Sequence, residues 1–238
     1  MEVLNINQDD LKKYKLINSG SEAKIYLNKN FIIKVYGAPE EYSLKKLEFL
    51  CEAQQNIKNT KLPYGAVNID NKFTGCIQEY FDGYNELNIL NSLPIDECIY
   101  LFKIFLENLD ELIQNNIYPI DLFYGNVLAS QSRKSIQIID LDGLGSVIKK
   151  QHNKKVLQVS LKQYLSTVLE TLFYGDINEM WYVNYKSLLK KYPFKKEYVD
   201  SMLGNKLSFE LLYEFLEYIQ KDEKDLFKNN KKILKIKH

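Results

Sequence analysis

The stretch that decides the fold of this chain reads I-D-L-F-Y-G-N-V and runs from Ile120 to Val127. It places the carboxylate of Asp121 and the amide of Asn126 five residues apart, just after a predicted long helix. A second stretch, I-Q-I-I-D-L-D-G from Ile136 to Gly143, ends a β-branched run with the carboxylate of Asp140. A base, a neutral oxygen ligand and an anionic ligand can thus meet on one metal–phosphate cluster, which is what phosphoryl transfer requires.

The composition excludes several classes of protein. The chain has 238 residues, which suits one large domain or two small lobes. Its 45% hydrophobic and 26% charged residues are ordinary for a soluble globular protein, and a net charge of +1 gives no field that points to nucleic acid or membrane. No apolar stretch approaches the roughly 20 residues that span a bilayer, and the N-terminus has no signal pattern. We therefore expect a cytoplasmic protein.

Cysteine and histidine are too few and too scattered for a zinc or His-based site. The three cysteines have no C-x-x-C spacing, and their odd number argues against a disulfide framework. A reducing compartment follows as the simpler interpretation. The residues concerned are Cys51, Cys76, Cys98, His152 and His238.

The first third of the chain is predicted to be a small α+β lobe. Residues 14–37 are rich in β-formers, with a turn candidate at Asn28-Lys29-Asn30. Leucines at helical spacing predict a helix that Pro39 opens and that runs to about Asn56. Two further strands are expected at 64–69 and 73–80, so this lobe is assigned to residues 1–81.

Helices are predicted to dominate from Pro94 onward, in a lobe assigned to residues 82–220. Apolar residues form one stripe along a helix at about 96–116, and two short strands follow near 127–129 and 136–140. A basic tail closes the chain, but its charge is too mild to indicate a nucleic-acid site. The remaining predicted segments are helices at 158–174, 178–191, 195–203 and 208–220, and the tail at 221–238.

Three features of the first lobe can serve a phosphate. The turn from Asn18 to Ala23 lets backbone N–H groups approach phosphate oxygens, although a glycine there is as easily an ordinary hairpin residue. Lys34 lies inside an apolar strand; pointing inward it needs an anionic partner, and pointing outward it obeys simple alternation. One of Glu41, Glu48 and Glu52 is expected to be that partner, with Glu48 in the next helix as the first candidate, although each alone is more typical of a surface residue.

The polar residues of the second lobe suit the acceptor and a metal. Asp121 can accept the proton of a hydroxyl group, and the amide oxygen of Asn126 suits a hard ion such as Mg²⁺. Asp140 ends a strand, where a carboxylate can bridge to a metal. The alternative makes Asp121 and Asn126 loop caps and Asp140 a turn residue before Gly143. The D-x-x-x-x-N pattern is common by chance, whereas the whole ordered set is not.

This ordered set resembles the protein-kinase-like superfamily, which includes protein kinases and small-molecule kinases such as aminoglycoside phosphotransferases, and in particular its small atypical members. The resemblance covers roughly residues 14–175. The matching segments are Ser19–Tyr26 for the abbreviated Gly-rich loop, Ile32–Val35 for the ATP-lysine strand, Gln78–Gly83 for the hinge, Pro119–Asn126 for the catalytic loop and Asp140–Gly143 for the metal segment.

The resemblance implies an α+β bilobal fold, with a small antiparallel-sheet lobe carrying one helix and a mainly helical second lobe. It implies a kinase that uses ATP and Mg²⁺ and transfers the γ-phosphoryl group to a hydroxyl-bearing acceptor. The implied site residues are Asp121 and Lys34 for catalysis, Gly20, Ser21, Lys34, Glu48, Glu79, Tyr80 and Phe81 for the nucleotide, and Asn126 and Asp140 for the metal.

The chain also departs from the superfamily's pattern. Pro119 and Ile120 stand where the catalytic loop usually has His and then Arg or Gly, and Leu141-Asp142 stands where many protein kinases have Phe-Gly. The segment from Gly143 to Leu161 is short. A kinase of low activity that phosphorylates protein Ser/Thr is therefore weighed against a small-molecule kinase, a nucleotide-binding pseudokinase and a helical interaction module unrelated to kinases.

Overall fold

The computed structural model describes residues 1–20, 22–29, 31–143, 145–149, 153–172, 185–192, 194–204 and 207–222. Strands predominate before the middle of the chain and helices after it, so the predicted α+β bilobal architecture is confirmed. Within the described ranges, no helix has the length and apolar character needed to cross a membrane.

The N-terminal lobe is built on one six-stranded sheet, in the order β1-β5-β6-β4-β3-β2. All its neighbours are antiparallel except β1 and β5, which run parallel. The sequence did not predict β1, because an exposed edge strand has little alternation and finds its partner far along the chain. The strands are β1 (Glu2–Ile6), β2 (Lys15–Ser19), β3 (Ala23–Asn28), β4 (Phe31–Tyr36), β5 (Gly65–Ile69) and β6 (Lys72–Glu79).

One α-helix, α1 (Leu44–Ala53), packs on this sheet through its buried Leu47, while its buried Leu50 belongs to the large core cluster of the second lobe. The helix begins later than predicted, since Pro39 opens a 3-10 turn that ends at Glu41. Ser43 caps α1 by accepting a hydrogen bond from the backbone N–H of Lys46 at 3.3 Å. The helix therefore starts at its capping side chain and not at the proline.

Within the described residues, the C-terminal lobe contains five α-helices, and the longest of them carries a broad apolar stripe. This helix, α2, buries its side chains against α3, α6 and a small sheet. The predicted helices are confirmed with shifted ends, although 178–184 and 223–238 lie outside the described residues. The helices are α2 (Ile95–Gln114), α3 (Lys154–Leu172), α4 (Tyr185–Lys191), α5 (Lys196–Leu203) and α6 (Phe209–Asp222).

Two small sheets support the loops between the lobes. One has the order β10-β9-β7, and the other pairs β11 with β8. The strands at 127 and 136 were predicted, whereas the three-residue strands around them were too short to detect from pattern. The strands are β7 (Tyr84–Glu86), β8 (Ile117–Pro119), β9 (Val127–Ser130), β10 (Ile136–Ile138) and β11 (Ser146–Ile148).

The loop after α1 is tied to the C-terminal lobe by two side chains. The carboxylate of Glu111 accepts hydrogen bonds from the backbone N–H groups of Lys58 and Asn59 at 2.9 and 3.0 Å. The amide of Gln137 accepts from the N–H of Lys61 and donates to the carbonyl of Asn59, both at 2.9 Å. These bonds hold the C-terminal end of α1 in place relative to the second lobe.

Candidate active site

A cleft of about 470 Å³ lies between the two lobes. This volume is in the range of small-molecule and cofactor sites. Apolar side chains from both lobes, among them Ile25, Ile32, Leu128 and Ile139, line it together with polar groups. Six of the residues predicted for the site line this one cleft, namely Lys34, Glu79, Tyr80, Phe81, Asn126 and Asp140.

Lys34 points inward from the middle of the sheet and is only 6% exposed. Its ammonium group donates to Oδ1 of Asp142 at 3.2 Å and to Oδ1 of Asp140. Burial by itself lowers the pKa of Lys34, but the two carboxylates outweigh burial and raise that pKa above its ordinary value. Lys34 is therefore protonated, and the inward orientation considered from the sequence is the one observed.

Asp142 is the main partner of Lys34 that the sequence did not reveal. Its side chain is fully buried, and its Oδ2 accepts hydrogen bonds from the Tyr36 hydroxyl at 2.7 Å and from the Cys76 thiol at 3.5 Å. Burial raises the pKa of Asp142, but Lys34 and Tyr36 lower it by more, so the carboxyl is ionised. Its position directly before Gly143 in the sequence would by itself indicate only an ordinary turn residue.

The expectation that a helix carboxylate pairs with Lys34 was wrong. In the described part of the chain, the carboxylates bonded to Lys34 come from the metal segment of the second lobe. Helix α1 is amphipathic, and its acidic residues fall on the side that faces solvent. All three candidates are exposed: Glu41, Glu48 and Glu52.

Helix α1 instead directs a cation, Lys46, toward the second lobe. The Lys46 ammonium donates to the backbone carbonyl of Ser146 at 2.8 Å and to that of Gly143. Burial lowers the pKa of Lys46 to about 8, although Asp142 nearby acts in the opposite direction. The helix is thereby joined to the segment that follows Asp140.

Asp121 and Asn126 form one hydrogen-bonded unit beside the cleft. The Nδ2 atom of Asn126 donates to the backbone oxygen of Asp121 at 3.0 Å and to its Oδ2 at 3.3 Å. The N–H of Ile139 donates to the carbonyl of Asn126 at 2.9 Å, which brings Asp140 next to this unit. Burial raises the pKa of Asp121, and the charges of Asp140 and Glu22 raise it further.

Other contacts take the place of the histidine that usually supports this loop. The strand containing Pro119 pairs with β11, and the N–H of Ile120 donates to the carbonyl of Gly145 at 2.9 Å. From α3, the hydroxyl of Thr167 donates to the carbonyl of Leu122, directly after Asp121. The loop is thus supported on both sides despite its unusual sequence.

Asp140 has a left-handed backbone with φ of 63°. Such a conformation is uncommon for a non-glycine residue, although aspartate is among those that adopt it most readily. The chain turns back tightly here, because a Cβ atom on Gly145 would lie 2.4 Å from the carbonyl oxygen of Asp140. The turn directs the Asp140 carboxylate into the cleft.

Asn126 and Asp140 fit a hard cation such as Mg²⁺. Because Asp121 engages the amide nitrogen of Asn126, the amide oxygen is the atom left for an ion. Among the described residues, no three His, Cys, Asp or Glu side chains cluster as a metal site. Mg²⁺ in nucleotide sites needs only one or two carboxylates, since phosphates and waters complete its octahedron.

Comparison with known proteins supports the same architecture. No protein-family model and no curated protein sequence matches the chain. The structure is similar to that of the Cydia pomonella granulovirus kinase PK-1, with a TM-score of 0.61 and 19% sequence identity over 85% of this chain and 93% of the other. The chain has a protein-kinase-like fold.

The Gly-rich loop that the sequence predicted for nucleotide binding includes Gly20 and Ser21. The N–H of Gly20 donates to the carbonyl of Ala23 at 3.0 Å, so it closes a turn, and the neighbouring Ile17 and Asn18 are the ones that line the cleft. Ser21 lies outside the described residues. The contribution of this loop to nucleotide binding stays a prediction.

Several cleft residues of the kinase-like fold had no detectable signal in the sequence. Pairing of β7 with β9 sets Glu86 opposite Leu128, and both line the cleft. Phe123, two residues after Asp121, lines it too although it is 43% exposed. Gln78 belongs to the quoted hinge segment but was not assigned a role. Glu86 and Leu128 meet because the short strands β7 and β9, distant in the chain, pair.

Proposed function

We propose that the protein is an ATP-dependent phosphotransferase that moves a phosphoryl group to a hydroxyl acceptor, with protein Ser/Thr as the acceptor class. The observation that carries this proposal is that Lys34, Asn126 and Asp140 line one cleft together. The hydrogen-bonded Asp121 lies beside them. Cation, neutral oxygen, anion and base are the four groups that phosphoryl transfer uses.

Each group has a part in the proposed reaction. Adenine lies against the segment Glu79 to Phe81, and the ammonium of Lys34 binds phosphate oxygens. Asn126 and Asp140 hold Mg²⁺, which neutralises charge on the phosphates. Asp121 orients the acceptor hydroxyl and takes its proton, for which the raised pKa of this carboxyl is suited.

The support of the catalytic loop favours an active enzyme over a nucleotide-binding scaffold. The unusual Pro119 and Ile120 left the position of Asp121 in question, but pairing with β11 and the bond from Thr167 to Leu122 hold the loop. Positioning and electrostatics supply most of the catalysis in this reaction. A held Asp121 is therefore the feature that a scaffold would not need.

The experiment compares wild type with Asp121→Asn, using γ-labelled ATP, Mg²⁺ and a library of Ser/Thr peptides. We expect label transfer to fall by about a hundredfold or more in the variant, while calorimetry finds unchanged ATP binding. Asp70→Asn, in the exposed turn between β5 and β6, is the control and should behave as wild type.

Three outcomes would change the proposal. Equal, very low turnover in wild type and Asp121→Asn with intact ATP binding would favour the scaffold. Transfer to small alcohols but not to peptides would favour a small-molecule kinase. Absence of ATP binding by the wild type would overturn the nucleotide assignment altogether.

A further inference from the structure

The two carboxylates bonded to Lys34 differ in their access to the cleft. The Asp140 side chain is 24% exposed and lines the cleft, whereas the Asp142 side chain is 0% exposed. A cation in the cleft can therefore reach Asp140 but not Asp142. Both contacts of Lys34 are present together.

The hydrogen bonds around Asp142 fix the orientation of its carboxylate. Its Oδ1 faces Lys34, and its Oδ2 accepts from Tyr36 on the same strand and from Cys76 on the neighbouring strand. Lys34 and Cys76 are direct cross-strand partners in the β4–β6 pair. A fully buried carboxylate with three donors from one sheet has no freedom to turn toward a ligand.

We propose that Asp142 is the permanent counter-ion of Lys34 and thereby a positioning residue that releases Asp140 to the metal. This proposal rests on the proposed function and assigns the two carboxylates different roles: Asp142 pairs with Lys34, and Asp140 binds the metal. When Mg²⁺ binds Asp140, Lys34 keeps a buried carboxylate partner and stays fixed beside the phosphates. Without Asp142, the ammonium and the metal compete for the Asp140 carboxylate.

Helix α1 does not supply this counter-ion in the structure. Its acidic residue Glu48 is exposed, and its residue directed at the second lobe is a lysine, Lys46. The positive end of Lys46 is bonded to the backbone of the segment that carries Asp142. At this contact the helix therefore supplies a cation, Lys46, and the segment Asp140–Gly143 supplies the buried anion, Asp142.

A first test needs no ligand. A double-mutant cycle with Lys34→Met and Asp142→Asn measures the coupling of the two side chains in urea unfolding. We expect the coupling to change the unfolding equilibrium about tenfold or more, as for directly bonded residues. The matched cycle of Lys34→Met with Glu48→Gln should show none. Coupling to Glu48 but not to Asp142 would overturn the inference, whatever the protein's activity.

A second test follows binding of ATP as a function of Mg²⁺ concentration, measured by calorimetry. In Asp142→Asn the Mg²⁺ concentration for half-maximal ATP binding should rise about tenfold, the effect of losing one bond to a charged group. In the Lys34→Met background, adding Asp142→Asn should leave that concentration unchanged, because no ammonium competes for Asp140.

The outcomes of the second test separate the two proposals. A wild type that binds no Mg²⁺–ATP overturns the proposed function and the release of Asp140 with it, while the first test still decides the ion pair. A wild type that binds, together with an unchanged Mg²⁺ dependence in Asp142→Asn, overturns this inference alone. If Asp142→Asn does not fold, Lys34→Met tests the inference: a Mg²⁺ concentration for half-maximal ATP binding about tenfold below that of the wild type would show that Lys34 competes for Asp140 although Asp142 is present, and would overturn it.

Discussion

Lys34 and Asp142, 108 positions apart in the chain, join the two lobes through a buried ion pair with Nζ 3.2 Å from Oδ1. The Asp142 side chain is 0% exposed and the Lys34 side chain, at the wall of the cleft, is 7% exposed. Breaking such a pair on one side leaves an uncompensated charge, which is far more costly than the pair is stabilising. The contact between the sheet and the segment Asp140–Gly143 therefore contributes to stability and, in the proposed function, also to the position of Lys34.

We predict that the hydroxyl of Tyr36 contributes to the stability of the fold, whereas the hydroxyl of Tyr42, the ring stacked on it, contributes little. Tyr36 and Tyr42 lie with ring centroids 3.7 Å apart, and only the Tyr36 hydroxyl bonds to Asp142. Tyr36→Phe should lower the free energy of unfolding by about 2 kcal/mol, since the bond is to a charged group. Urea unfolding measures this. Tyr42→Phe preserves the stack and should change stability little, so equal effects of the two variants would contradict the prediction.

Two threonines one turn apart on α3 offer a matched pair for the catalytic loop. The hydroxyl of Thr167 donates to the Leu122 carbonyl, whereas the buried hydroxyl of Thr171 has no hydrogen-bond partner among the described residues. Thr167→Val should cost about 1–3 kcal/mol and reduce phosphoryl transfer more than ATP binding, because it frees the loop beside Asp121.

The control for the threonine pair is Thr171→Val, which removes an unsatisfied buried hydroxyl and should be neutral or stabilising. Thr167→Ser keeps the donor and should retain transfer. Unfolding curves and steady-state kinetics on the variants decide the matter, and a loss in Thr171→Val equal to that in Thr167→Val would refute the assigned role.

Gly75 is predicted to be indispensable for the position of Lys34. A Cβ atom at residue 75 would lie 1.9 Å from the backbone oxygen of Lys34, so the two strands could not keep their spacing. Gly75→Ala should destabilise the lobe by about 3 kcal/mol and weaken nucleotide binding. In Gly20→Ala the new Cβ meets nothing closer than 3.8 Å, so thermal unfolding of that variant should be near wild type.

Because of Lys46, the free energy of unfolding is predicted to change with pH in the alkaline range. Burial lowers its folded-state pKa from 10.5 to about 8, with Lys34 acting in the same direction and Asp142 and Asp140 opposing. Between these values the unfolded chain holds one more proton than the native protein, so stability gains with rising pH across that window. Below pH 8 both states are protonated, and the unfavourable burial of the ammonium is fully present.

The measurement for Lys46 is the difference in unfolding free energy between wild type and Lys46→Met, taken from pH 7 to 11. Wild type should gain relative to the variant between about pH 8 and 10.5, while the other titrating groups cancel in the difference. A difference that stays flat across this range would show that Lys46 keeps an ordinary pKa.

Much of the fold could be predicted because its signals are local. The apolar stripe of α2 follows from helical periodicity, and the β-branched run of β4 follows from strand propensity. The order of these elements around Asp121, Asn126 and Asp140 predicted a protein-kinase-like fold. The parallel strand β1 escaped prediction, because an exposed edge strand is defined by its distant partner β5 and not by its own pattern.

By itself, the sequence determined which residues can do chemistry and in what order they occur. Lys34, Asn126 and Asp140 were all expected in one site, and the structure brings them to one cleft. Tertiary structure alone decided which carboxylate neutralises Lys34. Periodicity says on which side of a helix or strand a residue lies, but an ion pair across 108 residues depends on how two lobes pack. For that reason the expected partner, Glu48, faces solvent, and the unassigned Asp142 is the buried anion.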